Sequence, residues 1–100
     1  MSGGQRMRLS EKQGNAIHQA IKDVKGEVFL FGSRVDDKKK GGDIDLLVFS
    51  EEDAFSLSRK ISVSFFMNCE EKIDVVVMNP HALTDIQKAF LATITKEKFA

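Results

Sequence analysis

Hydrophobic positions along this chain follow two periods, about 3.6 residues and about 2 residues, and the switches between them mark its elements. Ile17, Ala20, Ile21 and Val24 recur at helical spacing on one face. Ser10, with Gln13 three residues on, forms a capping box before them, and Gly26 is placed to end the helix. Glu27 to Phe31 then reads as a strand that delivers the chain to Gly32-Ser33. Arg34 to Gly42 is a polar loop, and Asp43 to Phe49 is a second strand. A second helix starts at Ser50 with Asp53 as a capping acid, and Ala54, Leu57, Ser58, Ile61 and Phe65 trace its buried face. Phe55 and Phe66 lie off the centre of that stripe, and extra core coverage is their expected use, with a partner interface as the alternative. Lys72 to Met78 is a strongly β-prone strand ended by Asn79-Pro80. Thr84 with Gln87 caps a last helix with Leu83, Ile86, Phe90 and Ile94 as its buried stripe, and Lys96, Lys98 and Phe99 suit its end.

The order helix, strand, strand, helix, strand, helix predicts an α+β fold in a single small domain. It has a mixed β-sheet with the helices mainly on one face. The expected domain spans residues 10–100, behind a flexible tail at 1–9 that contains Gly3 and Gly4, with a natural start at Met1 or at Met7 both open. Fifteen basic and fifteen acidic residues balance, so no global field draws the chain to nucleic acid or to a membrane surface. No run has the length of a transmembrane helix, and no secretory signal opens the chain. The single cysteine, Cys69, has no internal disulfide partner, which fits a reduced, cytoplasmic protein.

Against this plain background, the acids stand out. On a strand, Asp43 and Asp45 point the same way with Cα atoms about 7 Å apart, while Ile44, Leu46 and Val48 point the other way. Two like charges side by side repel, and a divalent cation resolves the conflict, since magnesium is held by one or two carboxylates together with substrate phosphates. Gly32-Ser33 supplies the complementary half. Glycine lets backbone N–H groups approach a phosphate closely, and the serine hydroxyl adds a donor. Asp74 is a lone acid in an apolar strand and needs a partner, for which a metal held by Asp43 and Asp45 is economical. Arg34 adjoins Ser33 and can fork onto phosphate oxygens. Lys38, Lys39 and Lys40 read as a solvated loop, with triphosphate neutralisation as the sharper alternative. His18 reads as a surface or boundary residue and His81 as a loop histidine.

Together, Gly32-Ser33, the Asp43-x-Asp45 strand and Asp74 on a later strand resemble the DNA-polymerase-β-like nucleotidyltransferase superfamily. The short chain is similar to its minimal nucleotidyltransferases, the MNT type often encoded beside a HEPN-domain protein as an antitoxin. The resemblance covers Val28 to Leu83 directly. Relatives carry another glycine after the Gly-Ser pair and a serine before the first aspartate, where this chain has charged residues and Gly42.

What the resemblance implies is a metal-dependent transfer of a nucleoside monophosphate, AMP from ATP or from another nucleoside triphosphate, to a hydroxyl acceptor. Asp43, Asp45 and Asp74 are then the catalytic metal ligands for two Mg2+ ions, and Gly32, Ser33 and Arg34 hold the nucleotide. The expected acceptor or partner is a HEPN-type protein in a toxin–antitoxin pair, and a homodimer is also open. The alternatives are an inactive or weakly active binding module that restrains its partner, and a small-molecule nucleotidyltransferase. Polymerisation of nucleic acid ranks last on charge and size.

Overall fold

The computed structural model describes residues 9–31 and 44–99. In chain order the elements are α1 (Glu11–Ile21), β1 (Glu27–Phe31), β2 (Ile44–Phe49), α2 (Ala54–Cys69), β3 (Ile73–Met78), α3 (Asp85–Thr93) and β4 (Lys96–Lys98). The strands form one mixed sheet in the order β3-β2-β1-β4. β1 pairs antiparallel with β2 and with β4, whereas β2 and β3 run parallel with α2 as the crossover. A parallel pair requires such a crossover, and the apolar stripe of α2 fits it to that task.

Each helix begins where its cap residues dictate. The Ser10 hydroxyl accepts from the Gln13 N–H and the Gln13 side chain accepts from the Ser10 N–H, closing the expected box; Thr84 and Gln87 repeat it at α3. At α2 the cap is Asp53, not Ser50: its carboxylate accepts from the Ser56 N–H, and that hydrogen bond holds its pKa below the ordinary carboxylate value. Ser50 is instead buried just after β2, where its hydroxyl accepts from the Glu52 N–H.

Two apolar clusters sandwich the sheet. On one face Ala16, Ile17, Ala20 and Ile21 of α1 and Leu57, Ile61, Phe65 and Cys69 of α2 pack on Val28, Leu30, Ile44, Leu46, Val48, Ile73 and Val77. Leu9, at the end of the expected tail, packs against this core. Gln13 also joins α1 to the turn after α2, donating to Glu71 at 2.8 Å. On the other face Leu83, Phe90, Leu91 and Ile94 cover Phe29, Phe31, Leu47, Phe49, Val76 and Met78, with the Phe31 and Phe90 rings edge to face at 5.7 Å. Two of the three helices therefore share one face, and α3 lies across the other.

Four local expectations are corrected. α1 stops at Ile21 with Lys22 as its C-cap, so Gly26 does not end it. Gly26 instead sits at φ +144°, where a Cβ would collide with the Phe49 carbonyl, so glycine is needed for β1 to enter beside the end of β2. Ile86 is 82% exposed and Leu91 takes its place against the sheet, because α3 rests on the sheet through its C-terminal half. Lys96 to Lys98 are an edge strand and not a helix end: α3 closes at Thr93 with Ile94 already extended, and β1 offers an open edge. Phe55 and Phe66 are 73% and 52% exposed and add no core coverage, since Leu57, Ile61, Phe65 and Cys69 fill the buried side of α2. Among the described residues, no helix is long and apolar enough to cross a membrane.

Two outcomes test this packing. Gly26→Ala is expected to lower the unfolding free energy by about 2–4 kcal/mol, read as a lower urea midpoint with an unchanged slope. Burial pushes the Cys69 thiol above its ordinary value of 9.0, and the Glu71 carboxylate pushes it the same way. Because the folded pKa is raised, the associated stability is full below pH 9 and is lost as pH rises towards the folded value. Thermal melts should therefore fall in that alkaline window in the wild type and hold steadier in Cys69→Ser, measured relative to each protein at pH 7.

Candidate active site

The predicted acids fall on β2 and β3, and the register of that parallel pair sets their geometry. Asp45 is directly opposite Asp74, so the two carboxylates stand on neighbouring strands at the same level, with Cα atoms about 4.8 Å apart. Ile44 pairs with Ile73 and Leu46 with Val75 on either side of them, and those residues turn into the core beneath α1 and α2. The alternation of a strand then obliges Asp45 and Asp74 to face the other way. Asp45 is half-buried and Asp74 exposed, so one carboxylate is sheltered by the sheet while the other opens to solvent.

The row continues across all four strands. Phe31 lies opposite Asp45 on β1, and Lys96 lies opposite Phe31 on β4. Paired residues share a face, so Asp74, Asp45, Phe31 and Lys96 form one transverse line on the acid side of the sheet. The ammonium of Lys96 rests 5.3 Å from the centroid of the Phe29 ring on that same face, about 10 Å of sheet from Asp45. Sequence reasoning missed Lys96 by assigning it to a helix end. Three consecutive charged residues carry no apolar alternation, so no local signal marked this strand.

Phe31 is also the last residue before Gly32-Ser33, so the chain leaves β1 from the position beside Asp45. Gly32, Ser33, Arg34, Lys38, Lys39, Lys40 and Asp43 lie outside the described residues. Among the described residues the structure brings together Asp45 and Asp74, and no group of three or more metal-ligating side chains occurs. Neither histidine joins them. His18 is exposed with its ring against Phe99, at 4.7 Å between centroids. His81 forms a solvent-exposed contact with Glu51 at 3.2 Å on the far side of the Asn79-Pro80 turn.

Two oxygen-donor groups at one level on adjacent strands suit a hard divalent cation. Such an ion relieves the repulsion between them and leaves coordination positions for water and phosphate. An open rim beside that pair, with Lys96 farther along the same row, suits an anionic ligand carried by the cation.

None of the curated proteins compared is significantly similar to this chain. The family described as Polymerase beta, Nucleotidyltransferase matches residues 15–96, from within α1 to the start of β4. The matched span contains the whole sheet up to Lys96, both described acids and the crossover helix that sets their register. The chain belongs to the polymerase beta nucleotidyltransferase family, and its α+β fold with a mixed four-stranded sheet is that of the polymerase-β-like nucleotidyltransferases.

Proposed function

We propose that this protein transfers AMP from ATP to a hydroxyl acceptor in a magnesium-dependent reaction, with Asp43, Asp45 and Asp74 as the metal ligands. The observation that carries this reading is the opposition of Asp45 and Asp74 across the parallel β2–β3 pair, on the face turned away from the main core. The donor chemistry fits two Mg2+ ions shared by three carboxylates, with Asp45 between its two partners in sequence and register. When bound, the ions neutralise triphosphate charge and lower the pKa of the acceptor hydroxyl.

The protein's own groups perform the rest. Gly32 and Ser33 hold the β- and γ-phosphates through backbone N–H groups and the serine hydroxyl, and Arg34 forks onto phosphate oxygens. Lys96 adds a positive charge on the acid row from β4. The acceptor oxygen attacks the α-phosphorus, forming a new P–O bond as the bond to the β-phosphate oxygen breaks, and pyrophosphate leaves. Asp74, the exposed member of the pair, takes the hydroxyl proton.

For the acceptor, the resemblance to minimal nucleotidyltransferases supports a hydroxyl on a HEPN-type protein, which this chain would modify as the antitoxin of a cytoplasmic toxin–antitoxin pair. A balanced net charge supports a protein over a nucleic-acid acceptor. The test is incubation with α-labelled ATP and magnesium, with and without a HEPN-domain protein encoded beside it. Label on that protein is expected, with Asp45→Asn reducing transfer by at least about 100-fold while the fold is retained. An Asp45→Asn variant with near-normal turnover would sink the mechanism, and a tight complex without label would favour a binding module.

A further inference from the structure

Beyond its catalytic face, the molecule carries an unfilled surface where the sheet ends at β3. The order β3-β2-β1-β4 leaves β3 at an edge. The Met78 carbonyl accepts from the Ser50 N–H just beyond β2, at 2.9 Å, so Asp74, Val76 and Met78 direct their backbone groups inward along β2. By alternation, Ile73, Val75 and Val77 direct their N–H and C=O groups outward. No described strand pairs with them. Apart from Asp74, whose side chain lies on the acid face, Ile73–Met78 is apolar, and so apolar a strand is an uncommon edge, because native edges are usually blunted by charge, proline or a bulge.

Directly above this edge, α2 presents apolar side chains to solvent. Phe55, Val63, Phe66 and Met67 are all more than half exposed, and a cavity of about 330 Å³ is lined by Val63 and Phe66 on the helix and by Lys72, Ile73 and Asp74 at the edge. Phe55, Arg59, Ser62 and Phe66 follow one another at spacings of four, three and four residues, so they form a stripe along this side of the helix. The opposite flank is occupied by α1, with Asn68 beside Ala16.

We propose that this surface joins a second copy of the chain about a two-fold axis. The two β3 strands pair antiparallel through Val75 into one eight-stranded sheet, and the α2 helices pack side by side above them. Self-complementarity argues for this occupant. With Val75 opposite its own copy, Ile73 faces the partner's Val77, so all the outward backbone groups find partners. Asp74 then meets the partner's Val76 and not another acid.

The helix obeys the same axis. Three residues join Cys69 to Ile73, which keeps the end of α2 near the level of the start of β3; Val75 lies about 6.6 Å further along the strand, about 4.4 residues of helix, which reaches back from Cys69 to about Ser64 and Phe65. Arg59 and Glu70 are equidistant from that midpoint, and so are Val63 and Phe66. The operation that pairs the strands therefore sets Arg59 against the partner's Glu70 twice, around a centre of Val63 and Phe66 from both copies.

Glu70 supplies an independent reason. It is the one described non-glycine residue at positive φ, at +59°, a position that favours glycine. Its exposed carboxylate has no hydrogen bond or ion pair among the described residues, and Arg59 has none either. In the two-fold arrangement the partner's Arg59 gives this exposed carboxylate a counter-charge.

Sedimentation of the purified chain over a range of concentrations tests this. The wild type is expected to approach twice 11.2 kDa at micromolar concentrations. Phe66→Glu, an exposed change whose fold circular dichroism can verify, should hold the chain at 11.2 kDa. Arg59→Glu should raise the dissociation constant by about tenfold or more, and adding Glu70→Arg should restore it. A wild-type chain that stays at 11.2 kDa at high concentration, or a dimer untouched by Phe66→Glu, would overturn the proposal. So would a charge swap that fails to rescue association.

Discussion

Everything distinctive in this molecule depends on the register between β2 and β3. In a strand, side chains alternate with a period of two, so a slip of one residue in the pairing would carry a whole hydrophobic set to the wrong face. Here Ile44, Leu46 and Val48 of β2, with Ile73 and Val77 of β3, are locked beneath α1 and α2 in the main core. Burying each of these side chains is worth about 1.5–3 kcal/mol, far more than the repulsion between two carboxylates on the far face. Core formation thus forces Asp45 and Asp74 together, and folding supplies the energy that concentrates negative charge at one spot.

Because β2 and β3 are parallel, α2 must cross over between them, and its length and buried stripe are set by that task. Leu57, Ile61, Phe65 and Cys69 repeat at intervals of four along the inner side, each facing the sheet. The second cluster has a different role. The cluster under α3 takes in Phe29, Leu47, Phe49, Val76 and Met78 and reaches Phe31, the neighbour of Asp45, so it dries that part of the sheet and leaves the row of acids at its margin. A site at the rim of a dry patch gains field strength from low local polarisability while staying open to a charged ligand.

Much of this was legible in the sequence, for physical reasons that can be named. The capping boxes at Ser10 and Thr84, the period-2 strands and the stripe of α2 are local signals, and local chemistry decided those elements. The facing of Asp45 and Asp74 away from the main core also followed from alternation alone. What escaped depended on tertiary contact. Gly26 looked like a helix stop, but its role comes from the approach of Phe49, a residue remote in sequence. Lys96 was assigned to a helix end because only an open edge on β1 makes three charged residues a strand. Ile86, Phe55 and Phe66 were expected to be buried because hydrophobic residues on a helix ordinarily face a core; here the neighbouring elements fill other sides. Gly32, Ser33, Arg34 and Asp43 rest on sequence and family membership, since they lie outside the described residues.

The central claim is that the paired carboxylates of β2 and β3 form a cation site on the acid face. Titrating the isotopically labelled protein with Mn2+ and following amide signals by nuclear magnetic resonance tests it directly, because paramagnetic broadening falls steeply with distance from the ion. The account predicts early loss of signals from Phe31, Asp45, Leu46, Asp74 and Val75 while those of α1 stay sharp, and loss of that pattern in Asp45→Asn. Broadening centred elsewhere, on Glu51 and Glu52 for example, or unchanged in Asp45→Asn, would contradict it.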